Sequence, residues 1–204
     1  SAEEIFFLLV VGELPTEDEL STLKQNLFAR SEIPDYVWNV MRDMPATAHP
    51  MDMLVTAIAI LEDTSLFRRR YDEGMTRDEY WEAALEDPLN LLGKLPGLAA
   101  GIYRIRYNKG GLILPDPGLD WSANFAHMLG IEGDEFAQLM RRYMVLHSDH
   151  EGGNVSAFTA HVVASALSDP YYAVSAGLSG LAGPLHGLAN QECLKFVLGV
   201  MDRF

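Results

Sequence analysis

Three histidines of this chain lie in two segments that are rich in glycine and other small residues. Residues 147–154 carry His147 and His150, and residues 180–187 carry His186. Imidazole is the one side chain that ordinarily gains or loses a proton near neutral pH. Glycines let a backbone come close to a bound molecule. Both segments are therefore candidate walls of a reactive pocket.

The first histidine pair could instead hold a metal ion. His147 and His150 are three residues apart and precede Glu151, so on a helix they would share one face. Their order matches neither His-Glu-x-x-His nor His-x-x-Glu-His, and no cysteine lies nearby. The turn at Gly152, Gly153 and Asn154 favours an open polar pocket over a closed core. We predict no metal site.

His186 follows a break between two predicted helices. Pro184 and its neighbouring glycines interrupt the first helix, and helical periodicity resumes in residues 188–194. At a helix start the positive end of the helix dipole disfavours imidazolium. A neutral imidazole there can donate a hydrogen bond to a developing enolate. The plainer alternative is that His186 only caps the helix, and the residues alone leave both open.

Small residues between Ala176 and Gly183 leave one predicted helix with little bulk. Such a helix lets a neighbouring backbone approach closely. Efficient core packing explains the pattern, and so does an active site that needs its backbone near the ligand. The two explanations are compatible.

Other chemistries have weaker signals. The basic clusters Arg68–Arg70 and 104–109 lack the glycine loop of a phosphate site and are predicted to be solvated helix faces. No nucleophile elbow is present. Cys193 is the only cysteine and lies in a predicted helix, where a buried, inert thiol is the default.

Charge and composition exclude several classes of partner. The net charge is −14, from 29 acidic and 15 basic residues, which argues against a nucleic-acid or anionic-membrane surface. The most apolar windows, 155–167 and 172–188, are broken by Asp169, Pro170 and Pro184 and fall short of a membrane span. We expect a soluble intracellular protein, with no nucleic acid and no membrane as partner.

Periodicity is helical almost throughout, and no alternating strand pattern is convincing. Thr16 with Glu19, and Thr76 with Glu79, form capping boxes that open helices. The expected fold class is therefore all-α and multi-helical, with helices packed in layers. The helix after Thr76 is expected to be kinked or divided before residues 110–111.

Prolines and aspartates refine the expected boundaries. Pro88 and Pro96 should kink or divide that long helix. Asp120 and Asp134 are plausible caps of the next two helices, and Asn154 or Val155 begins another. A last helix is expected from near His186 toward Met201.

Several blocks of this sequence resemble citrate synthase. They are spread over nearly the whole chain in the order of that family, at residues 12–16, 49–51, 94–96, 119–125, 147–156, 166–171 and 180–192. Blocks 119–125 and 102–104 are most similar to the mitochondrial-type branch, whose members form dimers. Phe158 is a departure, since mitochondrial-type members usually carry His there.

The resemblance implies a reaction and a role for each residue of the histidine segments. The family condenses acetyl-CoA with oxaloacetate to citryl-CoA and hydrolyses it to citrate and CoA, an acyltransferase reaction of the tricarboxylic acid cycle. By motif match, His186 hydrogen-bonds the thioester oxygen and stabilises the enol. His150 binds oxaloacetate and polarises its carbonyl, while His147 and Asn154 line the same pocket. No cofactor is implied, because acetyl-CoA is a substrate.

The same resemblance implies an architecture and an assembly. Residues 1–185 match the central part of the family's large all-α domain, and residues 186–204 match the first helix of its small domain. A homodimer is implied. Location is open between a bacterial cytoplasm and a mitochondrial matrix.

Part of the family's machinery has no match among these 204 residues. The unmatched parts are the catalytic aspartate, the second catalytic histidine of a Gly-Tyr-Gly-His motif, and the oxaloacetate-binding arginines. We therefore expect the 204-residue chain to be inactive on its own. Two alternatives remain, namely 2-methylcitrate synthase, which uses propionyl-CoA, and a non-catalytic helical dimerisation module.

Overall fold

The structure is a computed structural model of the chain, and it describes residues 1–149 and 151–203. Within these residues the chain forms α-helices and two short 3-10 helices, without any strand. The all-α prediction is confirmed. The helices are α1 (Ala2–Val11), α2 (Glu17–Ala29), α3 (Asp35–Asp43), α4 (Pro50–Ile60), α5 (Leu66–Asp72), α6 (Tyr80–Arg106), α7 (Trp121–Leu129), α8 (Asp134–Leu146), α9 (Val155–Ala164), α10 (Pro170–Leu181) and α11 (Ala189–Met201). The 3-10 helices are Leu61–Thr64 and Arg77–Glu79.

Both capping boxes form as the sequence predicted. The N–H of Thr16 donates to Glu19 Oε2 at 2.8 Å, and the N–H of Glu19 donates back to Thr16 Oγ1 at 3.3 Å. Thr76 and Glu79 repeat the arrangement at the 3-10 turn that leads into α6. Each box satisfies backbone donors that the first helical turn leaves without partners.

The prolines do not divide α6, so the expectation of a divided helix is wrong. The helix runs unbroken from Tyr80 to Arg106 with Pro88 and Pro96 inside it. A proline removes one backbone hydrogen bond and crowds the preceding turn. Here the helix is held by tertiary packing, because Leu91, Leu98 and Ile102 are all buried in the main core. This packing offsets the loss.

The ends of two helices also differ from expectation. α6 ends at Arg106 rather than at residues 110–111, and Asn108 follows with a left-handed φ of 50°. Asp120 caps α7, as predicted, by accepting the Ala123 N–H at 2.9 Å. Asp134 is not a cap but the first residue of α8, whose N-cap is Gly133.

The core lies where α3, α4, α6 and α10 meet. α6 packs against α7, α5, α4 and α2, while α10 packs against both α9 and α4. The buried apolar side chains at this meeting point are Val37, Trp38, Met41, Met53, Ala57, Ile58, Leu61, Leu91, Leu98, Ile102 and Tyr171. Since α10 belongs to this core, it gives a fixed base to the segments on either side of it.

A buried carboxylate joins α5 to α6. Asp87 is 0% exposed and accepts the Ser65 hydroxyl at 2.7 Å, the Leu66 N–H at 2.7 Å and the Phe67 N–H at 3.1 Å. Burial is the largest influence on this group and raises the pKa of Asp87, against the lowering effect of these three donors. The side chain therefore acts as a cap for α5 supplied by another helix.

α11 is exposed along its whole length. None of its residues is buried, and Leu194, Phe196, Leu198 and Met201 are exposed. The division into residues 1–185 and 186–204 stays a prediction. No helix among residues 1–149 and 151–203 is long and apolar enough to cross a membrane.

Candidate active site

Asn154 fixes the turn that leads into α9. It is the N-cap, and its Oδ1 accepts the Ala157 N–H at 3.0 Å. Its Nδ2 donates to the backbone carbonyl of Glu151. Because the two ends of the amide have different partners, its orientation is defined. Asn154 thereby connects the glycine turn at residues 151–154 to a helix start.

Ser156 connects this turn to the second histidine segment. Its side chain is almost fully buried, and its hydroxyl donates to Asn154 Oδ1 at 2.7 Å. The same Oγ lies 2.9 Å from His186 Nε2. A serine hydroxyl has one proton to donate and can also accept. With the proton directed to Asn154, the bond to the histidine is donated by Nε2–H of His186.

Rotation of this hydroxyl would change the state of the histidine. If the Ser156 proton turns to His186 Nε2, a neutral ring must carry its own proton on Nδ1. The hydrogen bonds of Ser156 therefore decide which nitrogen of His186 is the donor. Sequence reasoning included Ser156 in the 147–156 block but gave it no role. The sequence feature that could have identified Ser156 is a hydroxyl two residues after the expected helix cap Asn154, in a block that carries two histidines.

His186 lies in the turn between α10 and α11, half-buried. Its N–H donates to the Gly183 carbonyl at 3.0 Å, and its carbonyl accepts the Ala189 N–H at 3.1 Å. α11 begins three residues later, with Leu188 at its N-cap and no side-chain cap. The alternative that His186 caps this helix is therefore wrong. The ring is held by Ser156 on α9, across the turn.

His147 occupies a different environment. It ends α8, its Nδ1 lies 2.8 Å from the Tyr143 carbonyl, and its ring stacks on Tyr143 with centroids 4.1 Å apart. It borders a mainly apolar cavity of about 220 Å³. The other residues that line this cavity are Ala2, Glu3, Phe6, Leu9, Leu27, Leu92, Trp121, Met144 and Ser148.

The structure thus brings together two of the four predicted site residues. Asn154 and His186 are joined through Ser156. The hydrogen bond and ring contact given above for His147 are both with Tyr143, within α8. His150 lies outside the described residues. Within the part of the chain that is described, no three or more His, Cys, Asp or Glu side chains group closely enough to hold a metal ion.

The arrangement around His186 suits stabilisation of negative charge on a substrate oxygen. A ring held at one nitrogen by a buried hydroxyl keeps its orientation, and its second nitrogen can then act at a defined place. The sequence supplies this geometry through a helix cap, a buried serine and a tight glycine-rich turn.

The chain is similar to known proteins along almost its whole length. Residues 1–203 match the family model described as citrate synthase, C-terminal domain. The chain is 46% identical over 200 residues to citrate synthase 4, mitochondrial, of Arabidopsis thaliana. It is 48% identical over 200 residues to citrate synthase, mitochondrial, of Saccharomyces cerevisiae. Each alignment covers 98% of this chain but 42% of the relative, so the chain spans less than half the length of these proteins.

Solved structures share the fold. The crystal structure of citrate synthase from Pyrobaculum aerophilum superposes with a TM-score of 0.87 at 34% identity, over 98% of this chain and 50% of that one. The citrate synthase from Thermotoga maritima gives a TM-score of 0.78 at 26% identity, over 98% and 49%.

Proposed function

This chain belongs to the citrate synthase family, and we propose that the protein acts as a citrate synthase. The reaction condenses acetyl-CoA with oxaloacetate and then hydrolyses the thioester, giving citrate and CoA. The observation that carries the proposal is the hydrogen-bonded series Asn154–Ser156–His186, which places the histidine expected to act on acetyl-CoA in a fixed position. The identity to citrate synthases along almost the whole chain supports it.

The role of His186 follows from the charge that the reaction creates. Removal of a proton from the methyl group of acetyl-CoA places negative charge on the thioester oxygen. A hydrogen-bond donor at that oxygen stabilises the enolate, and one such donor contributes roughly 10²–10³ in rate. We assign this donor to Nδ1–H of His186. In this mechanism the Ser156 hydroxyl turns its proton from Asn154 Oδ1 to His186 Nε2, so that a neutral ring carries its own proton on Nδ1.

Oxaloacetate is assigned to the other histidine segment. His150 is proposed to bind it and to polarise its carbonyl, with His147 and Asn154 lining the same pocket. The structure supports a shaping role for Asn154, because both ends of its amide hold the 151–154 turn against α9. His147 lies at the end of α8, where the chain enters that turn. The proposed chemistry uses no cofactor.

The proposal concerns the protein that carries the complete site. The aspartate base, the second histidine and the arginines have no match in these 204 residues. In the proposed arrangement α11 begins the family's small domain, and its unburied apolar side chains are covered there. We also propose a homodimer, for which α8 and α9 offer exposed apolar side chains such as Leu139, Leu146 and Val162. The mitochondrial names of the relatives favour a mitochondrial location.

An assay of CoA thiol release tests the function directly. The purified protein with the complete site is given acetyl-CoA, and free CoA thiol is measured with and without oxaloacetate. We expect release that requires oxaloacetate, and a fall of at least about 100-fold in His186→Gln with an unchanged circular dichroism spectrum. His127→Gln is the control, because His127 is exposed on α7. Oxaloacetate-independent release, or near-normal turnover in His186→Gln, would contradict the proposal, and a preference for propionyl-CoA would make the protein a 2-methylcitrate synthase.

A further inference from the structure

The Ser156–His186 hydrogen bond joins two segments that both rest on α10. Ser156 lies in the first turn of α9, which packs along α10, and His186 lies in the turn that leaves the end of α10. The 2.9 Å distance between Oγ and Nε2 therefore depends on how closely each segment approaches this one helix.

On the serine side, glycines of α10 permit the approach. A Cβ added at Gly177 would lie 2.9 Å from the Ser156 carbonyl oxygen and 3.3 Å from the Cβ of Ala160. A Cβ at Gly180 would lie 3.0 Å from Val155 Cγ1. The backbone of α9 is therefore closer to α10 than a side chain at position 177 allows without movement.

On the histidine side, Gly187 permits an equally close approach. A Cβ added there would lie 2.6 Å from Leu181 Cδ1 and 2.7 Å from the Leu181 carbonyl oxygen. Leu181 is the last residue of α10, and Gly187 directly follows His186. The turn that carries the histidine is thus pressed onto the end of the helix, and a backbone oxygen there cannot move aside as a flexible side chain can.

We propose that α10 is the common template of the Ser156–His186 pair, with Gly187 and Gly177 as positioning residues. Each acts through its neighbour, Gly187 through His186 and Gly177 through Ser156. A side chain at either position must move one partner by several tenths of an ångström, which weakens or breaks a hydrogen bond of 2.9 Å. The meaning of this placement for catalysis rests on the proposed function, whereas the placement itself does not.

The competing explanation is that these glycines serve packing alone. Gly93 provides the matched control, because a Cβ there would lie 2.6 Å from the Leu27 carbonyl oxygen and 2.8 Å from Arg30 Cβ. Gly93→Ala thus creates a similar collision with a backbone oxygen, between α6 and α2. It should reduce stability without altering His186, and Gly93→Val matches the larger variant.

Nitrogen NMR of the histidine rings tests the proposal without any substrate. The protein is labelled with ¹⁵N-histidine, the His186 signals are assigned by their loss in His186→Gln, and the Nδ1 and Nε2 shifts are recorded above the titration range. We expect Ser156→Ala to shift both His186 nitrogens, and Gly187→Ala to reproduce at least half of that change with Ser156 intact. Gly177→Val displaces Ser156 instead of His186, and it should also reproduce at least half of the change in the His186 nitrogen shifts.

The outcomes separate the two explanations. Gly93→Ala and Gly93→Val should leave the His186 shifts at their wild-type values, although both lower the unfolding midpoint. The proposal is overturned if Gly187→Ala and Gly177→Val keep wild-type shifts, if the Gly93 variants change them equally, or if Ser156→Ala changes nothing. Since no turnover is measured, failure of the proposed reaction would leave this result standing, and failure here would leave the reaction untouched.

Discussion

The guanidinium of Arg104 occupies the space in which a side chain on Gly130 would begin. A Cβ added at Gly130 would lie 2.5 Å from Arg104 Nη1. Arg104 donates from Nε to the Gly111 carbonyl at 2.6 Å, from Nη1 to the Leu129 carbonyl at 3.1 Å, and from Nη2 to the Lys109 carbonyl. It thereby ties the segment after α6 to the end of α7, and Gly130 leaves room for it.

Replacement of Gly130 by Ala should destabilise the fold through two separable effects. Gly130 has a left-handed φ of 80°, where a Cβ costs roughly 1 kcal/mol, and the collision with Arg104 should add about 1–3 kcal/mol. Gly12→Ala is the matched control, because Gly12 also ends a helix with a positive φ of 91° and has nothing within 4 Å of an added Cβ. Urea unfolding should show a larger loss for Gly130→Ala. Equal losses would mean that Arg104 moves aside freely.

Asp87 should stabilise the fold, although burial of its carboxylate is unfavourable. The Ser65 hydroxyl and the N–H groups of Leu66 and Phe67 all donate to it. Asp87→Asn turns an amide NH₂ toward at least one of these donors, so we expect a loss of about 1–3 kcal/mol in the free energy of unfolding. Denaturant unfolding at neutral pH measures it. A variant as stable as the parent would show that the three donors find other acceptors.

The pH dependence of that loss has a defined sign. Burial raises the pKa of Asp87 in the folded state above its ordinary value, so the folded state binds the proton more tightly than the unfolded chain. The contribution of Asp87 to stability is therefore greatest below its ordinary pKa and declines as pH rises through the folded-state pKa. The Asn side chain does not titrate. The difference in the free energy of unfolding between the parent and Asp87→Asn should therefore narrow as pH rises through that range. If this difference widens as pH rises, the three hydrogen-bond donors lower the pKa of Asp87 by more than burial raises it.

Local patterns explain most of what the sequence predicted. The capping boxes at Thr16 and Thr76 form because their partners lie three residues away, within one turn. α6 shows the opposite case. The effect of Pro88 and Pro96 is decided by burial of that helix against α3, α4 and α10, which no local pattern contains.

The candidate site shows the same difference between features set by local sequence and features set by tertiary packing. Asn154 was predicted at a helix start and is the N-cap of α9, as a local rule requires. The bond between Ser156 and His186 spans thirty residues and depends on the packing of α9 along α10. Spacing could show that His186 lies in a turn, but it could not show that α9 holds the ring. The roles of His147 and His150 stay predictions.

The 204 residues on their own should not turn over acetyl-CoA and oxaloacetate. By the resemblance described above, we expect them to supply the family's histidine segments but not its aspartate base or its oxaloacetate-binding arginines. An enolate cannot form at a useful rate without a base near the methyl group. Thiol release by the isolated 204-residue chain, at micromolar protein and saturating substrates, measures this. Oxaloacetate-dependent release well above background would show that another residue of this chain acts as the base.

Removal of the Ser156 hydroxyl should lower turnover more than substrate binding. In the proposed reaction Ser156 touches neither substrate but holds His186 in the tautomer that donates to the enolate oxygen. Ser156→Ala in the protein with the complete site should therefore reduce kcat by roughly 10–100-fold, less than loss of the histidine donor itself, and leave the KM for oxaloacetate within about twofold. Ser179→Ala is the control, because that hydroxyl donates at 3.0 Å to the Ser175 carbonyl within α10 and should leave both constants unchanged. Steady-state kinetics with each substrate varied in turn decides the matter. An unchanged kcat in Ser156→Ala would mean that the ring of His186 keeps its tautomer without the serine.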